Sequence, residues 1–257
     1  MKSLNPIVLS GREVLPLIEG GKGISISNGT SSGAWAAAGG VATFSGVNAD
    51  ALDENGNLVP VVYNGRTRRD RHEELIDYAI RGGLTQARIA HEMANGEGRI
   101  HVNVLWEIGG AEEVLEGVLE GAQGIIHGVT CGAGMPYRIA EIASRHRVHY
   151  YPIVSSARAF RALWKRAYHK FPEWLGGVVY EDPWLAGGHN GLSNTEDPDF
   201  PEDPLPRVQA LREMMRQFGL DQTAIFMAGG VWYLRDWEDW IDNPDLGATA
   251  DSVFVLQ

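Results

Sequence analysis

Gly177-Val178-Val179-Tyr180-Glu181-Asp182-Pro183-Trp184-Leu185-Ala186-Gly187-Gly188-His189-Asn190-Gly191 sets a short apolar run against a glycine loop. Residues 177–180 are the kind of run that makes a parallel strand buried on both faces. Gly187, Gly188 and Gly191 allow positive φ and bring main-chain N–H groups close to a bound group. His189 is the only side chain there that exchanges a proton near neutral pH. A strand discharging into such a loop suggests chemistry at the C-terminal edge of a parallel sheet. A plain glycine turn with a solvent-facing histidine is the competing reading.

On either side of this stretch the chain alternates. Towards the C-terminus the spacing predicts a helix over 205–218, a strand over 223–227, a helix over 233–241 and a last apolar run over 252–256. Towards the N-terminus it predicts strands over 148–154, 124–128 and 100–106, with helices over 157–168, 137–146 and 111–119 between them. Before these come a helix over 73–93, broken or kinked at Gly82-Gly83, a strand over 41–44, an alanine-rich helix at 34–38 ended by Gly39-Gly40, and a strand over 23–27. A short helix over 12–19, stopped by Gly20-Gly21, comes first. Counted from Ile24 these are eight strands with intervening helices. An unbroken βα series of this length predicts a single-domain TIM (β/α)8 barrel over 1–257, with an open doubly wound sheet second. Residues 1–22 are then an N-terminal extension. Residues 45–71 are a long loop with a turn signal at Glu54-Asn55-Gly56-Asn57, and 248–257 form an atypical end that leaves the eighth unit complete or incomplete. In a barrel the site gathers at strand C-termini, where Asn28, Asn103, Thr130, Ser155, His189 and Gly229-Gly230 are expected.

Composition narrows the class. A 44% hydrophobic content with abundant glycine indicates a folded, core-bearing chain. The net charge of -11 argues against a general binder of nucleic acid or anionic membrane. Arg66-Thr67-Arg68-Arg69-Asp70-Arg71 departs from that balance and reads as a solvated helix approach, with a patch for an anionic substrate or subunit as the alternative. Cys131 is the only cysteine, so no disulfide forms within the chain. With no long apolar N-terminal core and no apolar stretch of membrane-spanning length, a cytoplasmic protein is expected.

Ala228-Gly229-Gly230-Val231, after the seventh strand and before a helix, is the expected phosphate site. Gly132-Ala133-Gly134 begins like a dinucleotide fingerprint but has Tyr137 at the third glycine position. A loop lying along a flat ligand is the better reading. Cys131 reads as a small semi-buried residue rather than a nucleophile. Glu181 and Asp182 are either acids near the site or caps of the loop. His91-Glu92-Met93-Ala94-Asn95 lacks the second histidine of a zinc motif, and no metal site is predicted. Tryptophans 232, 237 and 240 recur at helical spacing, as in a core or interface.

With these motifs in view, the chain resembles the nitronate monooxygenase family, formerly 2-nitropropane dioxygenases, including its NAD(P)H-dependent flavin oxidoreductase-like members. Ala186-Gly187-Gly188-His189-Asn190-Gly191, Cys131-Gly132-Ala133-Gly134-Met135-Pro136 and Ala228-Gly229-Gly230 carry the resemblance, which covers about 23–247. It implies an FMN-binding TIM barrel that oxidises nitronates or nitroalkanes with dioxygen. His189 would be the catalytic base, Asn28, Gly29, Asn103 and Thr130 would line the flavin, and Gly187, Gly188, Gly229 and Gly230 would hold its ribityl phosphate, with Ala186 in the same loop. Flavin-dependent enoyl-acyl-carrier-protein reductases share the histidine loop, so an enoyl thioester substrate with NAD(P)H is the alternative. A barrel that binds flavin or a phosphorylated metabolite without turning it over is a third reading. Homo-oligomerisation is left open. Where the family has a Gly-Thr pair after the last strand, this chain reads Ala248-Thr249-Ala250-Asp251. Its apolar run at 252–256 is expected to pair with the first strand.

Overall fold

The computed structural model describes residues 4–187, 191–194, 196–241, 243 and 253–256, the last four as backbone. Ten strands and six α-helices are described. A hairpin of β1 (Ile7–Leu9) and β2 (Arg12–Val14) precedes the barrel. Its two-residue turn, Ser10-Gly11, has positive φ at both positions, as the twist of a tight hairpin requires. The barrel then runs β3 (Leu17–Glu19), α1 (Gly29–Ala37), β4 (Val41–Ser45), α2 (Arg68–Ala94), β5 (Arg99–Leu105), α3 (Ala111–Gly121), β6 (Gly128–Gly132), α4 (Ile139–His146), β7 (His149–Val154), α5 (Ala157–Arg166), β8 (Val178–Glu181), α6 (Pro204–Gln217), β9 (Ile225–Ala228) and β10 (Val253–Leu256).

Strands β3 to β10 pair in sequence order, all parallel, and the ring closes. Phe254 stands opposite Leu17 and Val253 opposite Phe226, so the atypical C-terminal run supplies the eighth strand. This is the expected TIM barrel, and closure removes both exposed sheet edges. Alternate strand residues face opposite sides. Outward-facing Phe44, Val102, Val129, Tyr150 and Val178 form the main core with the helices. Inward-facing Ile18, Val41, Tyr151, Val179 and Phe226 fill the barrel, and Leu9 and Val14 of the hairpin join them at its N-terminal end. Ser10 Oγ lies 2.9 Å from His101 Nε2 and 2.8 Å from the Tyr151 hydroxyl, tying the hairpin to the barrel interior.

Several local expectations are corrected. Residues 12–19 form two strands, not a helix, because Pro16 disfavours the α region at Leu15 and breaks the segment into extended pieces. The first barrel strand is therefore Leu17–Glu19. Residues 23–27 form a turn, with Ile24 and Ile26 exposed. β3 already occupies the place beside β4, and Ser27 ties the turn down by donating its hydroxyl to Gly20 O at 2.8 Å. The strand expected over 124–128 starts at Gly128. Ile125 and Ile126 belong to the turn after α3, their N–H groups bonded to Ala122 O. Helix α2 is continuous through Gly82-Gly83. A Cβ at Gly82 would stand 1.7 Å from Ala49 O, so this glycine permits a close backbone contact rather than a break. After β9 comes a seven-residue 3-10 stretch, Leu234–Trp240, kinked at Trp237, in place of the expected helix.

Candidate functional site

The C-terminal ends of the strands surround a cleft of about 620 Å³. Glu19, Gly20 and Gly21 line it from β3, Asn103 from β5, Thr130, Gly132 and Ala133 from β6, Ile153 from β7, Glu181 from β8 and Ala228 from β9. Asn103 and Thr130 are opposite one another on neighbouring strands, so both side chains enter the mouth together. Thr130 donates its hydroxyl to Asn103 Oδ1 at 2.9 Å, and Asn103 Nδ2 donates to Gly21 O at 3.0 Å. This chain of bonds fixes the asparagine amide in the mouth and leaves it further capacity for a ligand, since an amide carries two N–H donors and two lone pairs. The glycine at 21 is needed here, because a Cβ there would lie 2.2 Å from Asn103 Cβ.

Below this pair, Glu19 holds the mouth's first wall. It is buried, and its carboxylate accepts from Ser31 Oγ at 3.0 Å, Ser32 Oγ at 2.6 Å and Thr43 N at 3.1 Å. One side chain thus ties β3, the start of α1 and β4 together, with every bond charge-assisted.

The loop after β8 begins with an ordered turn. Asp182 is buried, and its Oδ1 accepts from Trp184 N at 2.9 Å and Leu185 N at 3.3 Å, while Ala186 N donates to Asp182 O at 2.8 Å. Asp182 is therefore the cap of this loop and Glu181 the acid in the mouth. Ala186 and Gly187 follow that turn, and a Cβ on Gly187 would meet nothing within 4 Å. Gly188, His189 and Asn190 lie outside the described residues. Gly229 and Gly230 both have positive φ, and side chains there would press on Asp182 and Leu185, so the β9 turn packs directly against the β8 loop. Among the described residues no α-helix follows Gly230, and there a phosphate held at this turn would rely on the turn itself.

Asn28 and Gly29 take other places. Asn28 caps α1, its Oδ1 accepting from Thr30 N and Ser31 N, each at 3.0 Å. Gly29 donates its N–H to Gln86 Oε1 at 2.7 Å and sits against α2. Neither lines the mouth. Cys131 is buried and faces the outer core, where burial raises its thiol pKa far above the ordinary range. Glu19, Gly20 and Gly21 are the mouth residues that sequence reasoning missed, while Glu181 is one of the two candidate acids after its strand. The signal was present in Leu17-Ile18-Glu19-Gly20-Gly21, an apolar run ended by paired glycines, but it read as a helix stop. Among the described residues no group of three His, Cys, Asp or Glu side chains could hold a metal ion, and no helix is long and apolar enough to cross a membrane.

Beside the mouth runs a second, open groove of about 1320 Å³, walled by Met135, Ser155, Arg158, Ser193, Asn194 and Glu196 among others. It runs over the start of α5 and shares no lining residue with the mouth.

No protein-family model matches the chain, and no characterised protein is significantly similar to it in sequence. Solved structures do resemble its fold. FabK from Thermotoga maritima superposes with a TM-score of 0.53 at 16% identity, over 94% of this chain and 57% of that one. A nitroalkane oxidase from Streptomyces ansochromogenes gives 0.53 at 13%, over 94% and 64%. A mandelate oxidase variant with the monooxide FMN adduct gives 0.57 at 10%, over 98% and 68%. The chain thus spans roughly three fifths of the length of the first two.

Proposed function

We propose that this chain is an FMN-dependent oxidoreductase of the nitronate monooxygenase type. The observation that carries the reading is the Asn103–Thr130–Gly21 chain of hydrogen bonds in a cleft at the C-terminal end of a parallel barrel. The lining of the cleft suits a flat heteroaromatic ring. Gly20, Gly21, Gly132 and Ala133 line it with little side-chain bulk, and Asn103 and Thr130 would supply side-chain donors and acceptors to such a ring. The mandelate oxidase that carries an FMN adduct and the nitroalkane oxidase support the reading through the shared fold.

When bound, FMN supplies the two-electron chemistry, with dioxygen closing the cycle. In the chain itself, Asn103 and Thr130 would hold the flavin ring by hydrogen bonds. Gly187, Gly188, Gly229 and Gly230 offer backbone to the phosphate. His189 takes the proton from a neutral carbon acid, the step for which a placed base contributes about 10²–10⁴ in rate. Nitronates, already deprotonated, need no such base. The long groove beside the mouth favours a second reading, reduction of an extended enoyl thioester by NAD(P)H.

The test is an FMN titration followed by anaerobic reduction. A yellow complex bleached by nitronate supports the first reading, and bleaching by NAD(P)H alone selects the second. A chain that remains colourless in excess FMN refutes both. His189→Asn is expected to keep FMN and to lose turnover of neutral nitroalkanes by about 10²–10⁴ while sparing nitronates. Equal losses on both substrates would remove the base assignment.

A further inference from the structure

The loop that carries residues 188–190 is gripped on both sides by one side chain. Arg207 projects from the first turns of α6, a helix anchored by buried Val208, Leu211 and Met215. Its guanidinium lies 5.1 Å from the centroid of the Trp184 ring, on the near side of the loop, within range of a cation–π contact. On the far side its Nη1 contacts Glu196 Oε1 at 2.5 Å and Glu202 Oε2 at 2.8 Å. Its Nη2 donates to Ser155 O at 2.8 Å, which fastens the assembly to the end of β7. The Arg207 and Glu196 side chains are only 12% and 14% exposed, so this contact is shielded from solvent. Trp184 closes the circuit by donating Nε1 to Asp197 O at 2.9 Å, and Glu196 accepts from Ser193 N.

We infer that Arg207 is the positioning residue of the loop that carries His189, holding its two flanks at Trp184 and Glu196 together against β7 and α6. A planar fork with five donors can bind both flanks at once, which the point charge of lysine cannot. Burial acts to lower the guanidinium pKa, but the hydrogen bonds to Glu202 and Glu196 outweigh it, so Arg207 is charged throughout the working range. Glu196 also walls the groove over the start of α5, so the same clamp shapes that groove. Arg207's part in turnover rests on the proton-transfer reading above; its hold on the loop does not.

Hydrogen exchange on the full chain without added cofactor tests the clamp directly. In Arg207→Ala the amides of Ala186, Glu196 and Phe200 are expected to exchange at least about tenfold faster, the lower bound for losing one charge-assisted bond. Amides of β6 and β7 should not change. Arg207→Lys should fall between wild type and Arg207→Ala. The pair Glu196→Gln with Glu202→Gln, which leaves the arginine in place, should reproduce the acceleration at Glu196 and Phe200 and decides the matter if Arg207→Ala does not fold. Unchanged loop exchange in these variants, or an equal acceleration of the barrel strands, would overturn the assignment. With FMN bound, Arg207→Ala is expected to lower kcat on neutral carbon acids more than on nitronates. A chain that binds no FMN would sink the functional reading while the exchange result still decides the clamp.

Discussion

Glu19 offers the sharpest test of how the mouth is built. Its carboxylate receives three donors in a site where Ser32 and Thr43 are almost fully buried. Hydrogen bonds to a charged group contribute about 1.5–3 kcal/mol each, against about 0.5–1.5 for neutral ones. In Glu19→Gln the amide oxygen can take the place of Oε2 and keep Ser32 Oγ and Thr43 N, while its NH2 meets the Ser31 hydroxyl, which can turn to accept. The loss of charge on these bonds is partly offset by no longer burying an ion, leaving a cost of about 1–2 kcal/mol. In Glu19→Ala the Thr43 N–H has no acceptor and the two serines lose theirs, and the strand end collapses around a cavity. About 3–5 kcal/mol is expected, a fall in Tm of roughly 6–20 °C for a chain of this size. Urea unfolding followed by circular dichroism gives both values from the shift in midpoint at constant m. Because Glu19 is followed by the glycines that meet Asn103, Glu19→Ala should also weaken FMN binding, and Glu19→Gln should largely preserve it. Equal destabilisation by the two substitutions, or less than about 1 kcal/mol for alanine, would refute the account of a carboxylate held for its three donors.

The base of the barrel should make the fold acid-sensitive. Burial, and then the Arg99 charge, pull the His127 pKa down to about 4, and burial likewise lowers His101 and His149. These groups are neutral when folded, so their contribution is whole above about pH 6.5 and is lost as the unfolded chain takes up protons between about 6.5 and 4. His127 alone should cost about 2 kcal/mol across that window once its partial exposure is allowed for, and urea midpoints that stay level from pH 7 to 5 would contradict this. Cys131, buried with its thiol pKa raised, should react with a thiol reagent only at the rate of unfolding; stoichiometric labelling of the native chain within minutes would show the strand placement to be wrong.

The order of elements was legible in the sequence because each barrel unit carries its own period: a run apolar on both faces for a strand, then a 3.6-residue stripe for a helix. That is why β4, β5, β7, β8, β9 and every helix from α2 to α6 fall close to their expected places. It is also why Asn103 was legible as a mouth residue. Local pattern could not decide between competing candidates. Ile24 and Ile26 alternate as a strand would, whereas Leu17-Ile18 is only a short apolar pair, and the partner strand β4 selects Leu17–Glu19. Gly82-Gly83 carries the same signal as a helix break, and only the approach of Ala49 shows that the gap is filled. Asn28 stands before a helix either as a ligand contact or as its cap, and the fold shows its Oδ1 taken by the cap bonds. Arg207 had no sequence signature at all, and the run that ends in Glu19 read as a helix. Their roles arise from groups 5 to 52 positions away brought to one point by the fold. The sequence by itself determined the periodic elements and the chemistry available at their ends. Tertiary structure decided which polar groups satisfy one another inside the fold and which are left facing the mouth, because pairing of buried polar groups is a property of neighbours in space.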